Sequence, residues 1–407
     1  MRRVVVTGRG IVSALGNSVA SAFGRLKTLE NCVEPSEELK GFKGLQTCLW
    51  APSRFVKPPE YTRKVVRTMS PVSVMALNAT EQALREAGLE GDPVVKGGRL
   101  GVAYGSCSGG VEACADFVSI MLSREVKNVT SSTYIKMMPQ TTAVNLSVHF
   151  GTTGRLLPTG TACTSGSLAI GEAYEAIASG RQDVMVAGGA EEFSVTQVAV
   201  FDTLFATSRR NDEPKATPRA FDSERDGLVV GDGAGTLVLE ERGRALARGA
   251  KIFAEVVGFG TNTDGRHVTQ PNAETMAVAM KLALEDAGLP PEAIGYVNAH
   301  GTATSLGDAA EGSATESVFG PRKVPVSTIK SYTGHTLGAC GAIEALMTIS
   351  MMDAGWYAPN LNLANPDPAC GDNDFITGEG RSFSAEYAMS NNFAFGGVNT
   401  SLVFRRT

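Results

Sequence analysis

Cys163 stands in Gly160-Thr161-Ala162-Cys163-Thr164-Ser165-Gly166-Ser167, where six of the eight residues are Gly, Ser or Thr. Such a composition is unlike a packed core. It leaves room for a sharp turn and for an approaching substrate, as at other nucleophile elbows. A helical run, Ser165–Ala178, begins just behind the cysteine. The thiol would feel the positive end of that helix, which favours the thiolate. Ser165 and Ser167 are candidate caps. An inert buried thiol is the usual fate of a cysteine, and the small polar neighbours weigh against it here.

A nucleophilic thiol is usually served by histidine, and the chain has four: His149, His267, His300 and His335. His149, in Leu146-Ser147-Val148-His149-Phe150, has an apolar context that suits a structural role. His300 follows the strand-like run Gly295–Ala299 and precedes Gly301-Thr302-Ala303-Thr304. His335 shares the segment Lys330-Ser331-Tyr332-Thr333-Gly334-His335 with a lysine, ahead of a helical run. Both histidines lie in Gly/Thr loops at strand ends, where α/β sheets place their sites.

Several other chemistries are excluded. Gly8-Arg9-Gly10 follows a strand and could open a dinucleotide fingerprint, but Ser13 holds the third glycine position. No acidic residue stands on a clear second strand either. A simple strand-to-loop turn is expected. There is no Walker phosphate loop and no metal-ligand spacing, so neither cofactor nor metal is expected. The 407 residues are 43% hydrophobic and 19% charged, with net charge -5. That balance argues against a nucleic-acid binder. Seven cysteines, an odd number without a C-x-x-C pair, suit reduced thiols in a cytoplasmic protein. The N-terminal apolar run is too short for a signal core. No segment approaches the ~20 apolar residues of a membrane span.

The residues with chemistry must be positioned by the elements around them. Val4–Thr7, Leu100–Ala103, Asp183–Ala187, Thr236–Glu240 and Ile252–Val257 read as buried strands. Val72–Ala87, Ser165–Ala178, Ala273–Ala287 and Ala342–Ala354 read as helices. The alternation is that of an α/β protein. There is also an internal echo. The Thr159–Cys163 segment leads through a small-residue helix to Ser179-Gly180, and Thr333–Gly341 leads through a similar helix to Ala354-Gly355. A duplicated unit is expected, with a divide near 245–255.

On these motifs the chain resembles the β-ketoacyl-carrier-protein synthases of type II fatty acid and polyketide synthesis. The similarity runs end to end. It rests on Thr161-Ala162-Cys163, Asp222-x-x-Arg225-Asp226-Gly227, Asn298-Ala299-His300-Gly301-Thr302, Lys330-x-x-Thr333-Gly334-His335 and Phe395-Gly396-Gly397-x-Asn399. His335 at the third catalytic position matches the elongating Cys-His-His branch. The resemblance implies a thiolase fold of two similar α/β halves in five αβαβα layers, here residues 1–250 with Cys163 and 251–407 with His300 and His335. It implies a decarboxylative condensation of an acyl group held on Cys163 with malonyl-carrier protein. Lys330 would supply positive field. Thr302, Thr304 and Glu344 would support the site. The N–H groups of Cys163 and Phe395 would form an oxyanion hole, and Phe395, Ala394 and Gly396 a gating loop. Ser108 and Met138 would line the acyl pocket, with Met137 beside them.

Acyl-carrier protein is the implied partner, docked on Arg63, Lys64 and Arg67 of one helix and on Arg124 and Lys127. A homodimer is the implied assembly, with a heterodimer as the alternative. Three departures stand out. Ala394 replaces a common glycine, Ser305 a common proline, and Ser108 a bulkier apolar gate. A small polar gate would admit a longer, stiffer or more unsaturated chain. His267 matches a mobile loop of the family. Rival readings are a ketosynthase of polyketide or aryl-polyene synthesis, a non-catalytic chain-length-factor-like partner, and a thiolase. The last needs a second catalytic cysteine near the C-terminus, and Phe393–Thr400 has none.

Overall fold

The computed structural model describes residues 1–127 and 129–407. An 11-stranded mixed sheet runs through the molecule. Its strands in chain order are β1 (Val4–Val12), β2 (Leu100–Gly105), β3 (Leu156–Thr159), β4 (Val184–Glu191), β5 (Gly233–Glu241), β6 (Ala254–Thr263), β7 (Ile294–Asn298), β8 (Pro325–Ser327), β9 (Asp374–Phe375), β10 (Tyr387–Phe393) and β11 (Val398–Arg406). Across the sheet the order is β9-β8-β7-β10-β11-β6-β1-β5-β4-β2-β3.

That order repeats itself. In the first half β2 pairs parallel with β3 and β4, while β5 runs antiparallel to β4 and β1. In the second half β7 pairs parallel with β8 and β10, while β11 runs antiparallel to β10 and β6. The two halves meet where β1 pairs antiparallel with β6, with Val4 opposite Val256.

The helices repeat too. They are α1 (Pro71–Glu86), α2 (Val111–Ser123), α3 (Ser165–Ala178), α4 (Val195–Thr203), α5 (Ala273–Ala287), α6 (Ser305–Phe319) and α7 (Cys340–Ala354). α1 covers β1 and β5 on one outer face, and α5 covers β6 and β11 on the other. α3 and α7 touch one another and strands of both halves, so they form the middle layer. This gives five layers, α-β-α-β-α. α7 is buried on every side.

Gly8-Arg9-Gly10 is not a turn. β1 continues through it to Val12, and the glycines serve contact with α1. A Cβ on Gly8 would lie 2.0 Å from the Ala83 carbonyl oxygen, and one on Gly10 1.8 Å from that of Ala79. Gly258 and Gly260 of β6 meet Ala283 and Ala279 of α5 in the same way. The Leu337–Ala354 stretch also departs from expectation. Its 18 residues are long and apolar enough for a membrane span, yet 89% of them are buried in the middle layer.

Candidate active site

Cys163 lies in a short turn, Ala162–Thr164, between β3 and α3. Ala162 holds a left-handed φ of 51°, unusual for a residue with a Cβ. Local hydrogen bonds support it. Thr161 N donates to Ser165 Oγ at 3.0 Å, and that hydroxyl donates to Ala162 O at 2.7 Å. Neither Ser165 nor Ser167 caps α3 as expected. Ser167 instead bonds Thr164 O and the Thr400 hydroxyl.

His335 Nε2 is 3.0 Å from Cys163 Sγ. Its other nitrogen, Nδ1, accepts the N–H of Leu337 at 3.2 Å. The neutral ring therefore carries its proton on Nε2. His300 stands just beyond β7, with its ring centroid 5.2 Å from that of His335 and nearly perpendicular to it. Its Nδ1 receives Lys330 Nζ at 3.1 Å and Asn392 Nδ2 at 3.3 Å. An ammonium can only donate, so His300 too carries its proton on Nε2. Burial first, then the Lys330 charge, holds both imidazoles well below the usual histidine range. They are neutral donors.

Lys330 is 1% exposed and paired with Glu344, which also accepts Asn392 Nδ2 at 2.7 Å. Burial opposes the Lys330 ammonium, but the charges around it, Glu344 foremost, outweigh burial and hold it protonated. The Cys163 thiol behaves differently from the sequence expectation. Burial pushes it up to about 11, although Lys330 and the N–H groups of Phe395 and Cys163 favour the thiolate. The helix end does not prevail over desolvation. Donor atoms of Cys163, His300 and His335 lie within 4.8 Å of one another, close enough for a metal. The neighbouring Lys330 ammonium opposes a cation there.

A cavity of about 360 Å³ opens onto this cluster. Cys163, His300, His335, Thr302, Thr304, Ser305, Ala394 and Phe395 line it, as does His267 from the 264–271 loop. Thr304 accepts the Gly307 N–H at the start of α6 and lies 2.9 Å from the Thr302 hydroxyl.

Two family models match most of the chain. Residues 1–245 match the β-ketoacyl synthase N-terminal domain and residues 253–364 the C-terminal domain. The chain belongs to the β-ketoacyl synthase family. It is 40% identical to 3-oxoacyl-[acyl-carrier-protein] synthase 2 of Vibrio cholerae, covering 100% of this chain and 99% of that one. A solved β-ketoacyl synthase from Burkholderia phymatum superposes over 100% of both chains, with 57% identity and a TM-score of 0.98. A type II polyketide ketosynthase, solved in complex with its acyl-carrier protein and bound to a hexaketide, matches 100% of this chain and 99% of that one. Its identity is 30% and its TM-score 0.88.

The loop expected to gate the site, Ala394–Gly397, is a tight turn. Gly397 N donates to Ala394 O, Ala394 N to Val398 O, and Gly396 N to Val268 O. Left-handed φ values fall on Gly396 and Gly397, not on Ala394, so alanine there is unstrained. Ser108 and Met138 do not line the open cavity. Ser108 lies behind it, its N–H on Glu191 at 3.3 Å and its hydroxyl accepting Gln197 Nε2 at 3.2 Å. Met138 follows the helix Ser131–Met137 and presses its carbonyl on Gly109, next to Ser108.

The basic cluster is not helical. Residues 62–69 form turns, bounded by Pro58-Pro59 and by Ser70, extended ahead of Pro71. Arg63, Lys64 and Arg67 are exposed, and none is ion-paired among the described residues. Arg124, exposed, ends α2 with φ 57°, and Lys127 pairs with Glu125.

Three site residues went unread in the sequence. Glu311 accepts the N–H groups of His300 and Gly301 at 2.6 and 2.7 Å and so fixes the histidine loop. Burial pushes its carboxyl up to about 8, against those two N–H bonds. Asp308, one turn earlier on α6, holds Ala303 and Phe221. The pair Asp308-x-x-Glu311, closely following His300, was the available signal. Asn392 stands in the polar run Ser390-Asn391-Asn392 of β10 and carries no such signal.

Proposed function

We propose that this chain is a β-ketoacyl-carrier-protein synthase that elongates chains in type II fatty acid synthesis. The observation that carries this reading is the fixed tautomer of two neutral imidazoles, each with an N–H free to donate into the cavity beside Cys163.

Condensation needs two charge sites. In the first step the Cys163 sulfur attacks an acyl thioester. The N–H groups of Cys163 and Phe395 stabilise the oxyanion, and the carrier thiol leaves with the proton that Cys163 gives up. His335 cannot take that proton, because its free nitrogen is occupied by Leu337. The Lys330 field and the Phe395 N–H oppose burial and support the attacking thiolate. In the second step malonyl-carrier protein loses CO₂, and its thioester oxygen gains the negative charge. His300 and His335 donate to that oxygen, a stabilisation of several kcal/mol in comparable sites. The carbanion attacks the Cys163 thioester. The β-ketoacyl product leaves on the carrier, and the Cys163 sulfur recovers a proton.

Other features support this reading. Arg63, Lys64, Arg67, Arg124 and Lys127 are exposed cations suited to an acidic carrier protein. β3 ends the sheet with an open edge, and Leu156 on it is exposed, which suits pairing with a second copy. Seven unpaired cysteines suit the reducing cytoplasm. The repeated strand order supports two halves divided at 250/251. The 30% identity to the polyketide ketosynthase supports a second reading, a type II polyketide enzyme of the same chemistry.

Peptide mass spectrometry after incubation with acyl-carrier proteins tests both. Acyl on Cys163, then β-ketoacyl product on adding malonyl-carrier protein, is expected. The panel of accepted chains divides the two pathways. A folded sample that no acyl-carrier protein acylates would overturn the catalytic reading.

A further inference from the structure

An acyl chain on Cys163 that leaves the open cavity to the second substrate must pass Phe395. Behind Phe395 lies an apolar cluster of Leu39, Val198, Phe201, Leu228, Val230 and Leu337. Phe201, packed edge-on against Phe395, borders both this cluster and the cavity, as does Leu228. The cluster is the natural place for the chain.

It is not uniformly apolar. α4 turns Gln197, Val198 and Phe201 inward on one stripe. Gln197 is only 8% exposed. Its Nε2 donates to Ser108 Oγ and to Glu191 Oε1, at 3.2 and 3.3 Å. Its Oε1 is buried and accepts no hydrogen bond among the described residues. One buried donor is likewise unpaired among the described residues. Trp50, its ring 4.8 Å from that of Phe193 on the cluster's rim, buries an Nε1–H with no acceptor. Buried polar groups are ordinarily paired. Here the Gln197 acceptor lies on the same inward stripe of α4 as Val198 and Phe201 of that cluster.

We propose that Gln197 is a specificity determinant, accepting a hydrogen bond from a hydroxyl or similar donor on the acyl chain. This rests on the condensing function proposed above and adds the class of chain. A site built to bond a substrate hydroxyl discriminates against the analogue that lacks it. An apolar pocket does not.

The test uses the whole enzyme with carrier-protein-bound saturated chains of one length, one unsubstituted and the others with a hydroxyl walked along the chain. Acylation of Cys163 and kcat/KM are measured for each. At least one hydroxylated chain is expected to exceed the unsubstituted chain by about tenfold or more. Gln197→Met should bring that ratio to about one. Wild-type enzyme that takes the unsubstituted chain as well as every hydroxylated chain would overturn the proposal alone. So would a ratio unchanged in Gln197→Met. Should that variant not fold, the wild-type ratio decides. Failure of every chain to acylate Cys163 would overturn this proposal together with the function it rests on.

Discussion

The turn that carries Cys163 has a structural twin in the other half of the chain. Ala162–Thr164 leads into α3, and Leu337–Ala339 leads into α7. Each opens on a non-glycine residue in the left-handed region, Ala162 at 51° and Leu337 at 47°. The two turns touch in the middle layer. Aligned on those residues, His335 falls opposite Gly160, and Glu344 opposite Ala169. The first copy therefore presents a thiol among small neutral residues. The second half supplies the histidine and both members of the buried ion pair. Duplication provides the geometry twice, while the charges that shape the chemistry sit on one side. A nucleophile held in a neutral turn depends on its partner half for its field.

The largest break in that comparison is Cys163→Ala. Condensation should fall by roughly 10⁴-fold or more, while CO₂ release from malonyl-carrier protein persists, because His300 and His335 are untouched. Parallel assays of product and CO₂ check this. Loss of both would tie decarboxylation to the first copy and remove the division of labour.

Next comes Lys330→Met, which leaves Glu344 buried and unpaired. Losing one member of such a pair costs about 3–5 kcal/mol, and condensation should fall with it. Denaturant unfolding of Lys330→Met and of Lys330→Met/Glu344→Leu separates the effects. The double variant should regain much of the stability and none of the activity. Regained activity would show that the second copy's charge is structural alone.

Two titrations sharpen the contrast between the copies. With the thiol pushed up to about 11, alkylation of Cys163 should rise about tenfold per pH unit between roughly pH 7 and 10. A rate flat above neutrality would mean that the helix end and Lys330 dominate after all. His300 and His335 are held neutral in the folded chain and bind protons near pH 6.5 when unfolded. Their contribution to stability is therefore complete above about pH 6.5 and is lost as pH falls below it. His335→Gln should flatten that acid slope in urea unfolding.

Charge reversal at Arg63 and Arg67 lies outside both copies and should touch neither. KM for acyl-carrier protein should rise about tenfold at low salt, with kcat unchanged and the effect shrinking as salt is added. An unchanged KM would remove this surface from docking.

Much of the centre was legible because chemistry left a mark on composition. Cys163, His300 and His335 sit in segments rich in Gly, Ser and Thr, a composition that stands out from the apolar runs around them, and the repeated helix was readable as an echo. What escaped depends on tertiary neighbours. Gly8-Arg9-Gly10 has the composition of a turn, but its glycines answer to α1, which lies some 70 residues away in the chain. Its counterpart Gly258-Phe259-Gly260 carried the same signature and would have strengthened the echo. Arg63 and Arg67 have helical spacing in a segment that prolines confine to turns. Glu311 and Asn392 look like ordinary polar residues until the fold brings them to His300. The Cys163 thiol was misjudged because a helix end is visible in sequence and complete desolvation is not.

The smallest expected effect belongs to the twin itself. Cys340 begins α7 as Ser165 begins α3. Its thiol is fully enclosed, 3.2 Å from the Cys163 carbonyl, with Asn392 Nδ2 at 3.8 Å. Burial raises the thiol well above the usual cysteine range, against the opposing charge of Lys330. It is a small apolar filler with one weak donor. Cys340→Ala removes that filler and leaves a void the size of a sulfur, costing on the order of 1 kcal/mol by urea unfolding. Condensation should change by less than about threefold, since the Cys163 turn keeps its own hydroxyl bonds from Thr164 and Ser165. A fall in kcat as large as that of Lys330→Met would mean that Cys340 helps to set the nucleophile. The two turns would then share the chemistry, and the asymmetry between the halves would lie in their charges alone.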